Sequence, residues 1–341
     1  MKILITGGAG FIGCNAAEYS LKKGNEVTIL DNFSRKGTRE NEKWLRGQFP
    51  EMKVIEADVR TGQKEMEEAA KDKDAVYHFA AQAAVTTSVQ NPREDFDINA
   101  LGTFNVLEAV RAAKSDPVLI YSSTNKVYGG MKDVEVVDKG KRYEYKNLPE
   151  GVPETRGLDF YSPYGCSKGS ADQYVRDYSR IYGMKSVVFR QSCIYGTRQF
   201  GCEDQGWVAW LTIAAMLGKT INIAGDGKQI RDILYVGDLV DAYERATSNI
   251  NKTRGKVYNI GGGKSRTLSL FELIAHLGKI FGKEIKYEFS DWRPGDQKVY
   301  VSDIRKAKED FGWEPKTGVE EGVKILAEWV MENRDLLSKF V

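Results

Sequence analysis

Tyr164 and Lys168 lie four positions apart in Tyr164-Gly-Cys-Ser-Lys168. On a helix that spacing puts a phenol and an ammonium on one face. A phenol with its ordinary pKa of about 10 is a poor base at neutral pH. A cation about 4 Å away, at an effective dielectric near 20, favours phenolate by about 4 kcal/mol, an upper figure because Lys168 is itself desolvated. Tyr164 could then take a proton from a substrate hydroxyl. The pair alone is a weak signal, since Tyr and Lys meet at this spacing on many surface helices. The context strengthens it. About 40 residues earlier, Tyr121-Ser-Ser-Thr-Asn-Lys-Val-Tyr-Gly129 closes an apolar run. Thr124 can donate to and accept from one substrate hydroxyl, and Ser123 is the nearest alternative for that role.

A second group of residues points to a dinucleotide. Thr6-Gly-Gly-Ala-Gly-Phe-Ile-Gly13 joins an apolar run to a helical stretch. Gly7 permits a tight turn, Gly10 lets the backbone approach a pyrophosphate, and Gly13 lets helix pack on strand. Phe11 and Ile12 open the helix, whose free amides and positive dipole end suit phosphates. Asp31 ends the second apolar run about 20 residues on, where a carboxylate accepts from ribose hydroxyls and repels a 2′-phosphate. NAD is therefore expected rather than NADP. Arg35 pulls the other way, and Asn32 and Ser34 complete this loop. Asp58 and Val59 end the third run, where an adenine edge would sit; a loop-capping role for Asp58 reads equally well.

These residues need a scaffold that gathers strand ends. Lys2–Thr6, Glu26–Asp31, Lys53–Asp58, Ala75–Phe79, Pro117–Ser122 and Ser186–Arg190 read as strands, separated by helical stretches such as Ile12–Lys23 and Ala100–Ala113. Apolar runs without alternation suit buried parallel strands. The alternation predicts an α/β fold: a Rossmann-type doubly wound parallel sheet with a smaller C-terminal α/β substrate-binding domain. Residues 1–190 form the expected cofactor domain. Strands near Asp232–Val236 and Val257–Ile260 are expected to bring 232–262 back to it. Residues 191–231 and 263–341, with helices at Leu270–Phe281 and Val319–Arg334, form the expected substrate-binding domain. The polar segment Gly130–Gly157 reads as a surface insertion near the site's mouth.

Composition narrows the function. A net charge of +2 over 341 residues gives no electrostatic case for nucleic acid or a membrane surface. No apolar run approaches the roughly 20 residues of a membrane helix. With a strand expected from Lys2, no signal peptide is expected either, and a cytoplasmic protein follows. Cys14, Cys166, Cys193 and Cys202 show no metal spacing, and His78 and His276 are the only histidines. No metal is expected, and the thiols should be reduced.

The glycine triplet, Asp31, the Tyr121–Gly129 segment and the Tyr164/Lys168 pair resemble the extended short-chain dehydrogenases/reductases, which include nucleotide-sugar 4-epimerases and 4,6-dehydratases. The resemblance runs over essentially the whole chain, through Gly225-Asp-Gly-Lys-Gln-Ile-Arg-Asp232 and Arg293-Pro-Gly-Asp296. It implies that Arg231 and Arg293 clamp a diphosphate and that Asp296 holds the nucleotide ribose. Guanidinium forks suit phosphate oxygens. On the cofactor side it implies Phe79, Ala80, Ala81 and Gln82 after the fourth strand, with Asn99, Ser122 and Gln191.

Within the family, Phe79–Ser88, Ser122–Lys126, Tyr164–Gly169, Arg190–Gln199 and Asp204–Val208 are most similar to the branch that inverts carbon 2 of CDP-hexoses. That likeness implies a bound NAD, a CDP-sugar substrate and a homodimer or homotetramer. Gln82, Asn125, Arg198 and Gln205 become sugar-contact candidates, joined by Ser192, Gln199 and Asn222. Dehydratases of the family carry Asp-Glu after the threonine; here Asn125 and Lys126 stand there, so that elimination lacks its acid. Three alternatives stay open: a 4-epimerase, a net dehydrogenase or reductase, and a non-catalytic NAD-sensing binding protein.

Overall fold

A computed structural model describes residues 1–293 and 296–341. Its strands, in chain order, are β1 (Lys2–Thr6), β2 (Glu26–Asp31), β3 (Lys53–Glu56), β4 (Ala75–His78), β5 (Val118–Thr124), β6 (Val136–Asp138), β7 (Tyr143–Tyr145) and β8 (Ser186–Gln191). The later ones are β9 (Cys193–Tyr195), β10 (Ile221–Ala224), β11 (Ile230–Tyr235), β12 (Val257–Ile260), β13 (Thr267–Ser269), β14 (Tyr287–Ser290) and β15 (Val299–Tyr300).

Seven strands form one parallel sheet in the order β12-β8-β5-β4-β1-β2-β3. Successive side chains of a strand face opposite sides, and here both sides are covered. Ile3 and Ile5 join one buried layer with Ala16, Ala17, Leu239 and Tyr243, from the helices Phe11–Lys22 and Val236–Ser248. Leu4, Leu30 and Leu119 join the other layer, with Val106, Val110 and Val175, from Gly102–Ala112 and Ser162–Tyr182. That is why these strands read as unbroken apolar runs. Strand order reverses between β1 and β4, so a crevice opens beyond Thr6 and His78, where such sheets bind ligands.

Two expectations about the chain's later course are corrected. Val257–Ile260 does return, pairing with β8 at the sheet edge, but Ile230–Tyr235 does not. It pairs instead with β9, β13 and β15 in a small mixed sheet. The place beside β8 is taken by the fully buried, mostly apolar β12, whereas β11 carries Arg231 and Asp232. The buried Asp232 carboxylate needs the Gly263 and Ser302 amides (3.2 and 3.1 Å) and the Ser192 hydroxyl. Segment Gly130–Gly157 is likewise more than a surface insertion, and none of it lines the main cleft. It forms the hairpin β6–β7 and buries Met131, Tyr143 and Val152 against Ile230, Val299 and Tyr300. Its charged side chains, such as Lys132, Glu135, Lys139, Lys141 and Lys146, remain exposed, and Arg142 binds Glu272 at 3.0 Å.

Smaller shifts have local causes. The third strand stops at Glu56, two residues early, because Asp58 turns to bind the amide and guanidinium of Arg60 and the amide of Asn32. The helix expected from Ala100 starts at Gly102, after a π-turn over Asp97–Leu101. Among the described residues no helix is long and apolar enough to cross a membrane, and no cluster of His, Cys, Asp and Glu could hold a metal ion.

Candidate active site

One cleft of about 750 Å³ runs from the glycine turn to the small sheets. At its first end Gly7 takes φ +67°, and a Cβ there would lie 2.6 Å from the Ala80 amide nitrogen. A Cβ on Gly13 would sit 2.1 Å from the Gly7 carbonyl oxygen. The turn therefore tolerates no side chain at either position. Gly10 caps the helix Phe11–Lys22 without a side-chain hydrogen bond, and Gly10, Phe11, Ile12 and Gly13 line the cleft. Asp31 accepts the Ala9 amide at 3.0 Å and the Phe33 amide at 2.8 Å, tying the turn to the end of β2. Burial pushes its carboxyl up, and those two amides pull it back. Each carboxylate oxygen keeps a second lone pair for a ribose hydroxyl. This cradle fits a dinucleotide: a glycine turn too close for side chains, an uncapped helix start, and an acid beside them.

Asn32, Ser34, Arg35, Asp58 and Val59 line the same end. Asp58 is held by Arg60 near a pKa of about 2 and also accepts from Asn32 at 2.8 Å, so the capping role and a place in the cleft coexist. Phe79, Ala80, Ala81, Ser122 and Gln191 line the cleft as well. Gln82 and Asn99 do not. The Gln82 side-chain amide is spent on both backbone groups of Ala84. Asn99 is buried, accepting the Gln82 amide and donating to Asp95 and Ser167 at 3.1 Å each. Both brace the loop after β4 from behind.

Tyr164 and Lys168 sit in the first turns of the helix Ser162–Tyr182, whose start is fixed by Ser88 accepting the Tyr164 amide at 3.1 Å. Both line the cleft, opposite the end of β5, which presents Thr124. Burial pushes the Tyr164 phenol up, a hydrogen bond with Thr124 draws it down, Asp95 pushes it up and Arg35 draws it down. The Lys168 ammonium donates to the Ser122 carbonyl and lies 4.4 Å from the centre of the Tyr121 ring. Burial pushes Lys168 down to about 7, against the pull of Asp172 and Asp95. Lys168 is thus a weakened cation, and Thr124 is the hydroxyl that acts on the phenol. Ser123 is not equivalent to Thr124: its hydroxyl donates at 2.8 Å to Asp172, which is itself locked to Arg190 at 2.9 Å. His78, between Thr6 and Thr103, is held near a pKa of about 3 by burial and is a neutral core residue.

Beyond Thr124 the cleft is lined by Asn125, Ser192, Gln199, Asn222, Arg231, Arg293 and Asp296. Asn125 accepts from Thr124 at 3.3 Å, and Ser192 is tied to Asp232. Arg231 pairs with Asp296 at 2.5 Å. Arg293 donates to the Glu203 carbonyl at 3.1 Å and lies 3.8 Å from Asp204; Pro294 and Gly295 of its motif lie outside the described residues. Of the other expected sugar contacts, Arg198 turns toward the glycine-turn half, while Gln205 lies between the two halves beside Arg35, which also reaches the Tyr164 phenol. Arg198 stacks 3.9 Å from the Trp44 ring centre, and Gln205 accepts from Arg35. The segment carrying them crosses back over the glycine-turn half, where the Asn15 side chain donates to the Thr197 carbonyl at 3.1 Å. The sequence argument missed Asp95, which faces both Tyr164 and Lys168, and Lys126, which lines the cleft two residues past Thr124. Lys126 stood inside the quoted Tyr121–Gly129 segment, but nothing local tells whether its side chain points inward.

Comparison with known proteins agrees with this architecture. The family model for GDP-mannose 4,6-dehydratase matches residues 4–326. CDP-paratose 2-epimerase of Salmonella typhi is 42% identical over 335 residues, covering 96% of this chain and 99% of that protein. The crystal structure of Thermotoga maritima UDP-glucose 4-epimerase with UDP-glucose superposes with a TM-score of 0.84 at 33% identity, covering 98% and 100% of the two chains. Thermus thermophilus UDP-glucose 4-epimerase in complex with NAD gives 0.80 at 31%, covering 97% and 99%. A glycine turn on a doubly wound sheet, a Tyr–Lys helix across from a strand-end threonine, and matches over nearly the full length converge: the chain belongs to the GDP-mannose 4,6-dehydratase family of extended short-chain dehydrogenases/reductases, the nucleotide-sugar epimerases and dehydratases.

Proposed function

We propose that this protein is an NAD-dependent epimerase acting at carbon 2 of a CDP-hexose, through a transient 2-keto sugar. The observation that carries the reading is the meeting of Thr124, Tyr164 and Lys168 with the glycine cradle in one cleft. Residues 1–190 with 257–260 hold the dinucleotide; 191–231 and 263–341 hold most of the nucleotide sugar. Carbon 2 of a nucleotide sugar lies beside an acetal, so its hydrogen is not acidic and deprotonation cannot invert it. Reversible oxidation can. Bound NAD supplies a two-electron hydride acceptor that is restored within each turnover. Tyr164 removes the 2-hydroxyl proton, with Thr124 bonded both to that hydroxyl and to the phenol. Lys168 holds the nicotinamide ribose. The keto sugar turns in the cleft while its nucleotide stays anchored, and Tyr164 returns the proton after reduction on the other face.

The likeness to the Salmonella 2-epimerase, together with Asn125 and Lys126 after Thr124, favours carbon 2 and a cytidine nucleotide. The 4-epimerase structures favour the second reading, the same chemistry at carbon 4. A homo-oligomer is supported by exposed Leu101, Phe104, Tyr174, Ile181 and Tyr182 on adjoining helices, and a reducing, cytoplasmic setting by four free cysteines. The test is NMR of the products formed from CDP-, UDP- and GDP-hexoses, with reduced nicotinamide followed in parallel. Inversion at carbon 2 of a CDP-sugar without net reduction is expected. Inversion confined to carbon 4, or stoichiometric consumption of NAD, overturns the reading.

A further inference from the structure

Both arginines expected to clamp the diphosphate already face acids: Arg231 is paired with Asp296, and Arg293 lies opposite Asp204. A third cation lines this part of the cleft. Lys126 sits in the short turn Asn125–Tyr128 that follows β5. Its backbone is pinned next to the proton-transfer groups. Its amide donates to the Thr124 hydroxyl at 3.2 Å, and its carbonyl accepts the Gly129 amide at 3.1 Å. The helix bearing Tyr164 rests on that carbonyl, since a Cβ on Gly165 would lie 3.4 Å from it. The Lys126 ammonium reaches the charges of Arg231 and Asp296, yet no hydrogen bond holds it among the described residues. Burial and Arg231 both push it down from its ordinary value, and Asp296 only partly opposes them. A cation drawn from water beside another cation is costly unless an anion answers it.

We propose that Lys126 binds the phosphate attached to sugar carbon 1. This inference rests on the carbon-2 reading. When carbon 2 sits against Tyr164 and Thr124, only carbon 1 and its oxygen separate it from that phosphate. The phosphate then falls between the β5 end and the Arg231–Asp296 pair, the space Lys126 serves. Lys126 fixes the phosphate end while the keto ring turns about the bonds joining them. Arg231 and Arg293 are left for the phosphate on the nucleoside side.

The test compares CMP, which lacks this phosphate, with CDP, by calorimetric titration of the protein as purified, for wild type, Lys126→Met and Lys126→Arg. Lys126→Met should bind CDP roughly 10- to 100-fold more weakly, as expected for a lost charge-assisted hydrogen bond, while CMP binding stays within about threefold. Lys126→Arg should recover most of the difference, and in turnover the Met variant should raise KM more than it lowers kcat. Equal losses on CMP and CDP, or no loss on either, overturn the proposal. The parent reading fails differently: wild type then gives no inversion at carbon 2 of CDP-sugars, and the UMP/UDP pair carries the same comparison for Lys126.

Discussion

Asp31 at one end of the cleft and Lys126 toward the other are both charged and drawn from water, but they are partnered differently. Asp31 takes two backbone amides from its own glycine turn and loop. Among the described residues Lys126 has only the field of neighbouring charges. The dinucleotide end is finished by its own backbone, as suits a cofactor that stays through many turnovers. The sugar end keeps a cation for a ligand that arrives, turns and leaves. Preorganised dipoles suit the first task, and a side chain with several rotatable bonds suits the second. Tyr164 stands where the two ends meet.

Substitutions can break or sharpen that contrast. The largest effect is expected at the junction. Tyr164→Phe removes the proton carrier and should cut kcat by about 10²- to 10⁴-fold, leaving CDP affinity and bound dinucleotide nearly unchanged. Product NMR and release of dinucleotide on denaturation measure the two halves of that statement. Full activity in the variant would remove Tyr164 from the chemistry.

Gly13→Ala attacks the rigid end, where the added carbon meets the Gly7 carbonyl. A destabilisation of about 1–3 kcal/mol is expected, with loss of copurified dinucleotide. A variant that melts like wild type and keeps its dinucleotide would show the turn to be softer than its geometry states.

Lys168→Met should separate stability from function. The folded Lys168 pKa, about 7, lies below the ordinary lysine value of 10.5. Between those limits the unfolded chain binds the proton and the folded one does not, so this group makes stability rise with pH. Its cost is largest and constant below about pH 7 and fades toward 10.5. The dinucleotide-free Met variant should therefore gain thermal stability over wild type at pH 7, gain less at pH 10, and be inactive at both. A gain that grows with pH would contradict the burial argument.

The smallest effect is expected at Gln82. Its side chain serves Ala84 rather than the cleft. Gln82→Ala should cost about 1 kcal/mol of stability through those local bonds and leave the sugar KM within about twofold. A tenfold rise in KM would return Gln82 to the substrate.

Much of the first half was legible because its signals are local. Gly7, Gly10 and Gly13 report a turn within eight residues; in the second half, mostly apolar Val257–Ile260 likewise reports a buried strand wherever it pairs. Ile230–Tyr235 looked similar, but its pairing depended on which edge β12 had already taken and on partners for Asp232 about 30 and 70 residues away. Sequence spacing also placed the phenol, the ammonium and Thr124 together, without showing that Thr124 draws the phenol down or that burial weakens Lys168.

By itself the sequence determined the parallel sheet, the glycine cradle, Asp31 at a strand end and the helix carrying Tyr164 and Lys168, because strand and helix periods and backbone sterics act over a few residues. Only the tertiary structure decided how the polar side chains around the cleft are partnered: Ser123 spent on Asp172, Gln82 on Ala84, Arg198 on the Trp44 ring, Gln205 on Arg35, and Lys126 without a hydrogen bond among the described residues. The reason is competition. A buried polar group takes the best partner within reach, and that reach is set by elements far apart in the chain.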